Sequence, residues 1–294
     1  MSDKASMLLT ARRSLHAALL KSGVLCLTSR ENADACKSKT FPSNADGDSV
    51  TSIAIAQAIF DQIQSRAKAS GKHAAEVSCC RFEQITRSFI EEAFSTLRTL
   101  HPEKFNLATN AIMFSKQYQN LINLPQFIKK SSELAILLGS DYVITPDVLV
   151  VKSPDPDEVP NARQILVNDR TAQRSALRRQ NGKPPLLQCA ISCKWTLRRG
   201  DTETARSEAL NLIRKSRVRH IAVVTAEPLP SSLAILALGT GDIDRVYHFA
   251  LPELMKAVKS LKIDDSLHLM KIMVSGNRLK DIADLPLDLA CSHC

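Results

Sequence analysis

Residues 186–197, LLQCAISCKWTL, alternate with the period of a strand. Leu187, Cys189, Ile191, Cys193, Trp195 and Leu197 share one wholly apolar face. Leu186, Gln188, Ala190, Ser192, Lys194 and Thr196 share the other. Lys194 is the misfit, because lysine is rarely buried unless paired and the strand offers it no acid. Upstream the period is helical, which predicts helices over about 4–22, 51–69, 76–99 and 116–138. FPSNADGDS, 41–49, reads as a turn-rich loop between the first two. GSDYVITPDVLVV, 139–151, is strand-like around Pro146. A polar, proline-bearing stretch over 153–185 reads as a surface excursion with room for one short helix. It carries Arg163, Arg170, Arg174, Arg178, Arg179 and Lys183, a basic set suited to tracking phosphates. Beyond 197 the pattern predicts a helix over about 203–216, strands over 220–227 and 244–251, and closing helices. This order predicts an α/β fold with a central mixed β-sheet flanked by helices. We expect one domain over 1–294, helical over about 1–138 and α/β over about 139–294.

Composition narrows the function. With 44% apolar and 23% charged residues, the 294-residue chain is globular. Its net charge of +9 favours a polyanionic partner. Nine glycines are too few for a glycine-rich nucleotide fold, and three tyrosines disfavour single-strand stacking. No run reaches the 18 or so apolar residues of a membrane span, and no secretory signal is evident. Cys79 and Cys80 are adjacent and Cys189 and Cys193 share a strand face, which is no disulfide framework. A reducing cytoplasm and no membrane contact are expected. The tail Cys291-Ser-His-Cys294 resembles half a zinc site, but Cys79–Cys80 lacks the spacing of the other half.

The helix after the strand begins, on this reading, near an N-cap at Asp201 or Thr202. Its apolar stripe is Ala205, Ala209, Leu212 and Ile213, and Glu208 falls on or beside it. An ion pair with Arg206 or Arg214 is the plain explanation. A chemical one arises because Asp147 follows Pro146 at the head of the run Val148-Leu149-Val150-Val151. The order is Pro-Asp, 45 residues, Cys-Lys, 13 residues, Glu. Two carboxylates about 5 Å apart repel by roughly 3 kcal/mol at an effective dielectric of 20. A divalent cation holds both ionised, and magnesium is the hard, oxygen-seeking choice. One or two Mg2+ ions would polarise a phosphate and acidify a water, with Lys194 orienting that water or balancing charge on phosphorus. Cys193 points into the core by alternation, so its backbone carbonyl rather than its thiol is the candidate ligand. Ser192 stands where an acid-x-lysine nuclease pattern would carry its acid, and Glu208 supplies that oxygen from the helix.

The set Pro146-Asp147, Ser192-Cys193-Lys194-Trp195 and Arg206-Ser207-Glu208 resembles the NgoMIV-like type II restriction endonucleases that cut around CCGG. The likeness includes SNADG at 43–47, GSDYVITPD at 139–147, ISCKWT at 191–196 and ARSEALNL at 205–212. It continues through VVTAEPLPS at 223–231, LGTGDIDRVYHFAL at 238–251 and RLKDIADLPLDLA at 278–290. The resemblance implies a PD-(D/E)XK restriction-endonuclease-like core and magnesium-dependent hydrolysis of both strands of a palindromic double-stranded DNA site. It implies 5′-phosphate and 3′-hydroxyl ends, and a homodimer that pairs into a homotetramer. Catalytic roles fall on Asp147, Lys194 and Glu208. The metal would be held by Asp147, Glu208 and the Cys193 carbonyl. Glu83, in RFEQITRSFIEEAF with Phe82, Phe89 and Phe94, matches a further acid; its plain reading is a solvated helix face.

The match departs where relatives read bases. They follow Cys-Lys-Trp with Arg-Ser-Asp-Arg, whereas this chain has Arg198-Arg199-Gly200-Asp201-Thr202. Arg198 aligns directly, and Arg199 with Asp201 restores an Arg-x-Asp pair after a one-residue shift. Such residues read guanine O6/N7 and cytosine N4. Ser192, on the lysine face, is a fourth candidate DNA contact. An arginine linked in relatives to an outer base pair is Ser232 here. A target other than GCCGGC is therefore expected, with a CCGG core left open. The alternative is a DNA-binding or structure-directed repair nuclease of the same fold. Gly239-Thr-Gly241 reads as a tight turn rather than a phosphate cradle, and His220 and His248 as structural.

Overall fold

The computed structural model describes residues 6–30, 39–67, 79–97, 105–108, 146–183, 185–215, 218–239 and 241–290. The helix expected over 116–138, residues 139–145 and the Cys291–Cys294 tail lie outside them. The chain divides into two compact units. One comprises Met1–Thr96, Ser192–Arg206 and Ala222–Cys294; the second comprises Leu97–Ile191 and Ser207–Ile221.

In the first unit, α1 (Met7–Ser22) starts from Ser6, whose hydroxyl accepts from Leu9 N–H, and stops at Gly23 in the left-handed region. A hairpin that the sequence reading missed follows, β1 (Leu27–Arg30) against β2 (Lys39–Pro42). Helix α2 (Val50–Ala67) and α3 (Cys79–Leu97) match the expected helices within a few residues. Phe82, Phe89 and Phe94 of α3 are buried, as the helical stripe requires.

The expected mixed sheet flanked by helices is present. Six strands are hydrogen-bonded in the order β3-β4-β5-β6-β7-β8. In the second unit β3 (Phe105–Ala108), β4 (Val148–Lys152) and the start of β5 (Leu186–Lys194) run antiparallel. β6 (His220–Thr225), which enters the first unit at Ala222, β7 (Arg245–His248) and β8 (Leu279–Asp281) are parallel there. Ala222, Val223, Val224, Val246 and Leu279 are at most 1% exposed, the burial that parallel strands demand. Helices α4 (Arg199–Lys215), α5 (Pro230–Ala237), α6 (Leu251–Ser260), α7 (Asp264–Ser275) and α8 (Leu285–Ala290) complete the described chain.

Gly239 and Gly241 flank Thr240, which lies outside the described residues, so the turn expected there is not covered. A Cβ on Gly239 would meet the Ile235 carbonyl oxygen at 2.5 Å, and Gly241 has φ +85°. Arg278 fastens the far side by donating to the carbonyls of Ala237, Ile243 and Asp244, each at 2.7 Å.

Candidate nuclease site

Strand β5 carries the residues that opened the question. Leu187, Cys189, Ile191, Cys193, Trp195 and Leu197 are all buried, while Leu186, Gln188, Lys194 and Thr196 are half-buried. The regular strand ends at Lys194, three residues before the expected end. Cys189 and Cys193 are buried and form no disulfide among the described residues.

In the first unit Trp195 anchors the turn after β5. Its ring packs edge-on against Phe82 of α3 at 5.0 Å and lies 5.8 Å from Phe249. Its carbonyl accepts from Ala226 N–H at 3.2 Å, and the Ala226 carbonyl accepts from Asn44 Nδ2 at 2.8 Å. Glu227 then reaches back. Its Oε2 accepts from Leu197 N–H at 2.8 Å and its Oε1 from Leu229 N–H at 3.0 Å. Burial pushes the Glu227 carboxyl up, and the two amide donors only partly oppose this. Nothing in sequence periodicity singled out Glu227. The remaining signal was an acid closing the apolar run Ile221–Ala226.

Helix α4 begins at Arg199, two residues before Asp201, so neither Asp201 nor Thr202 is the N-cap. Asp201 instead lies in the first turn, where its Oδ2 accepts from Arg198 N–H at 3.2 Å. That is the acid half of a capping box, and it favours an earlier helix start. Arg198 is exposed. Ala205, Ala209 and Leu212 are buried as expected, but Ile213 is 50% exposed. Arg206 pairs with Asp242 at 3.9 Å. Ser232 stands in the first turn of α5, half-buried. His248 is structural as expected: its Nδ1 accepts from Ala250 N–H, so Nε2 carries the proton and donates to the Glu227 carbonyl. Glu83 is half-buried on α3, beside the inward Phe82.

In the second unit Asp147 stands one residue before the pair Val148↔Ile191, at the head of β4. It is half-buried, whereas Glu208 is 8% exposed. The excursion over 153–185 is an organised loop around buried Arg178. That guanidinium engages Asp157 and donates to the carbonyls of Asn168 and Thr171. Asn161 Oδ1 accepts from Leu166 and Val167 N–H. The only helical turn in this loop among the described residues is Arg179–Asn181. Arg178 is thereby a loop organiser, while Arg163, Arg170, Arg174, Arg179 and Lys183 remain exposed.

The structure thus assigns Asp147 and Glu208 to one unit and Glu83, Ser192, Cys193, Lys194, Arg198 and Asp201 to the other. No group of three or more His, Cys, Asp or Glu side chains suited to a metal occurs among the described residues. No helix among them is long and apolar enough to cross a membrane.

Comparison with known proteins supplies the lineage. The chain is 42% identical over 287 residues to the type II restriction enzyme NgoMIV of Neisseria gonorrhoeae, covering 95% of this chain and 97% of that protein. A solved complex of restriction endonuclease PspGI with substrate DNA matches at 15% identity over 81% of this chain and 91% of that one, with a TM-score of 0.24. The model of the NgoMIV restriction enzyme family matches residues 16–291. The chain belongs to the NgoMIV restriction enzyme family.

Proposed function

We propose that this restriction endonuclease cuts both strands of a palindromic duplex DNA word with magnesium, leaving 5′-phosphate and 3′-hydroxyl ends. The observation that supports the reading is a family match over residues 16–291, a span that includes Asp147, Lys194 and Glu208. The donor chemistry fits the ion: two carboxylates and the Cys193 carbonyl are hard oxygen ligands, with waters completing the shell. Bound there, Mg2+ supplies charge to the scissile phosphate and lowers the pKa of a water.

The rest falls to this chain's own residues. Water oxygen bonds to phosphorus and gives up a proton to solvent as the bond from phosphorus to the 3′-oxygen breaks, and the leaving 3′-oxygen takes a proton from solvent. Lys194 offsets the negative charge that accumulates on phosphorus. Glu83 supports the metal-binding acids. Arg198, Arg199, Asp201 and Ser192 contact the word, with the arginines suited to guanine and Asp201 to cytosine N4. Exposed arginines of the 153–185 loop add phosphate contacts without sequence information.

The partner is duplex DNA, bound by a homodimer that pairs into a homotetramer. Cys26, Cys189 and Cys193 are buried and form no disulfide among the described residues, which fits a reducing bacterial cytoplasm.

The test is a magnesium-dependent digest of complex unmethylated DNA with the ends sequenced, alongside Asp147→Ala and Lys194→Ala. The expected outcome is one shared palindromic word for the wild type and no discrete ends for either variant. Binding without discrete cleavage by the wild type would reject the reading and leave the DNA-binding or structure-directed alternative.

A further inference from the structure

We infer that Glu227 is a positioning residue that sets how sharply Arg198 and Asp201 discriminate the DNA word, an inference that rests on the nuclease reading above. Within the first unit Glu227 is fixed at every polar atom. Its N–H donates to Thr225 Oγ1 at 3.2 Å, and its carbonyl accepts from His248 Nε2 at 3.1 Å. Its carboxylate accepts from Leu197 and Leu229 N–H. The Leu197 amide immediately precedes Arg198, and Arg198 N–H is in turn held by Asp201. The Thr225–Leu229 segment therefore dictates where the backbone of Arg198 lies. A second tie, from Ala226 N–H to the Trp195 carbonyl, holds the other end of the same turn.

The choice of an acid is informative. Two amide donors converge on one side chain, and only a carboxylate presents an acceptor to both. Glutamine would aim its NH2 at one of them. A guanine-reading arginine tolerates little displacement, because its bidentate contact depends on both direction and distance. Glu227 acts through backbone amides and touches no base. The charged groups facing it are Asp46, which raises its pKa, and Arg198, which lowers it.

The experiment compares wild type and Glu227→Gln on a duplex carrying the word read from the digest and on the same duplex with one base pair changed. The readout is the ratio of kcat/KM for the two substrates with Mg2+. The expected result is a ratio that falls about tenfold, matching the loss of one well-aligned base contact. Equal losses on both substrates would mean a purely structural role and overturn the inference.

A second measurement uses the wild type alone, and it decides the matter if the variant does not fold. The ratio is followed as pH is lowered from neutrality through the raised Glu227 pKa. Protonation removes one acceptor, so discrimination should fall with pH even after division by overall rate. A ratio that stays flat as the carboxyl protonates would sink the proposal. Failure of the wild type to cut any duplex would instead remove the nuclease reading beneath it, which is a separately recognisable outcome.

Discussion

Two glutamates of the first unit are nearly equally buried and behave in opposite ways. Glu253, 1% exposed, lies among cations: Arg12 of α1 binds it bidentately and Arg66 of α2 closes on the same carboxylate. Arg12 also donates to Asp281 at 2.8 and 2.9 Å, which ties α1, α2, α6 and the end of β8 together. Burial alone would raise the Glu253 carboxyl, but Arg12 outweighs it and brings the pKa down to about 2. Glu227, 5% exposed, receives only backbone amides from its nearest neighbours, and its pKa goes up. The linkage signs are therefore opposed. Glu253 contributes stability that is present above its unfolded pKa and lost as pH falls toward 2. Ionised Glu227 costs stability once pH rises past the unfolded value, because the folded state holds its proton more tightly. Burial by itself does not mark function. A buried acid kept at a cost to folding is the more informative of the two.

Neutralising each acid in place is the direct way to break this contrast. Glu253→Gln leaves Arg12 and Arg66 facing a neutral amide, with Arg12 buried. Breaking a buried ion network in this way costs about 3–5 kcal/mol. Urea denaturation at pH 7.5 should report that loss, and a change below about 1 kcal/mol would show that the network is dispensable.

Acid titration sharpens the same comparison through the histidines packed around the network. Burial lowers His16 to about 4 and His248 to about 3. His16 Nε2 lies 2.8 Å from the Phe249 carbonyl. Below the unfolded value of 6.5 the unfolded chain takes up protons that the folded chain refuses, so stability falls with pH. By pH 5 the loss is roughly 2 kcal/mol for each histidine. His16→Gln keeps a donor for the Phe249 carbonyl but does not titrate. The slope of denaturation free energy against pH between 6.5 and 5 should drop by about half of the histidine share. An unchanged slope would place the acid sensitivity elsewhere.

Glu227→Gln should change stability by no more than about 1 kcal/mol, since a lost amide contact and a relieved buried charge oppose each other. Its expected signature is lost discrimination with retained folding. A denaturation loss as large as that of Glu253→Gln would make Glu227 another structural staple.

Much of this molecule was legible before its structure because periodicity records burial. Strand β5, the buried face of α4 around Glu208, and the phenylalanines of α3 all follow from spacing. Candidate polar residues stood out only where they violated their pattern, as Lys194 and Glu208 do. Glu227 violated nothing visible: it closes an apolar run where chains commonly turn, and its role depends on Leu197, 30 residues away. The early start of α4 was hidden for a related reason. Asp201 satisfies a helix start from the third helical position as well as from the N-cap, and local propensity does not distinguish the two. The β1–β2 hairpin and α5 were missed because both are short, and α5 is apolar nearly all round, which leaves no amphipathic stripe to read.

The smallest effect gives the baseline against which the two buried glutamates are judged. Glu91 pairs with Arg87 four residues earlier on α3, at 3.2 Å, and is itself 54% exposed in its side chain. Solvent screens such a pair, and holding two long side chains together costs entropy. Glu91→Gln should therefore shift the denaturation midpoint by the equivalent of about 0–0.5 kcal/mol. The partners of Glu91 and Glu253 are chemically alike, an arginine guanidinium in each case, and only the surroundings differ. A Glu91 effect approaching that of Glu253 would mean that Arg–Glu pairing as such, rather than desolvation around Arg12, holds the first unit together. An effect within the expected band would leave desolvation as the cause and make the cation-poor setting of Glu227 the feature to explain.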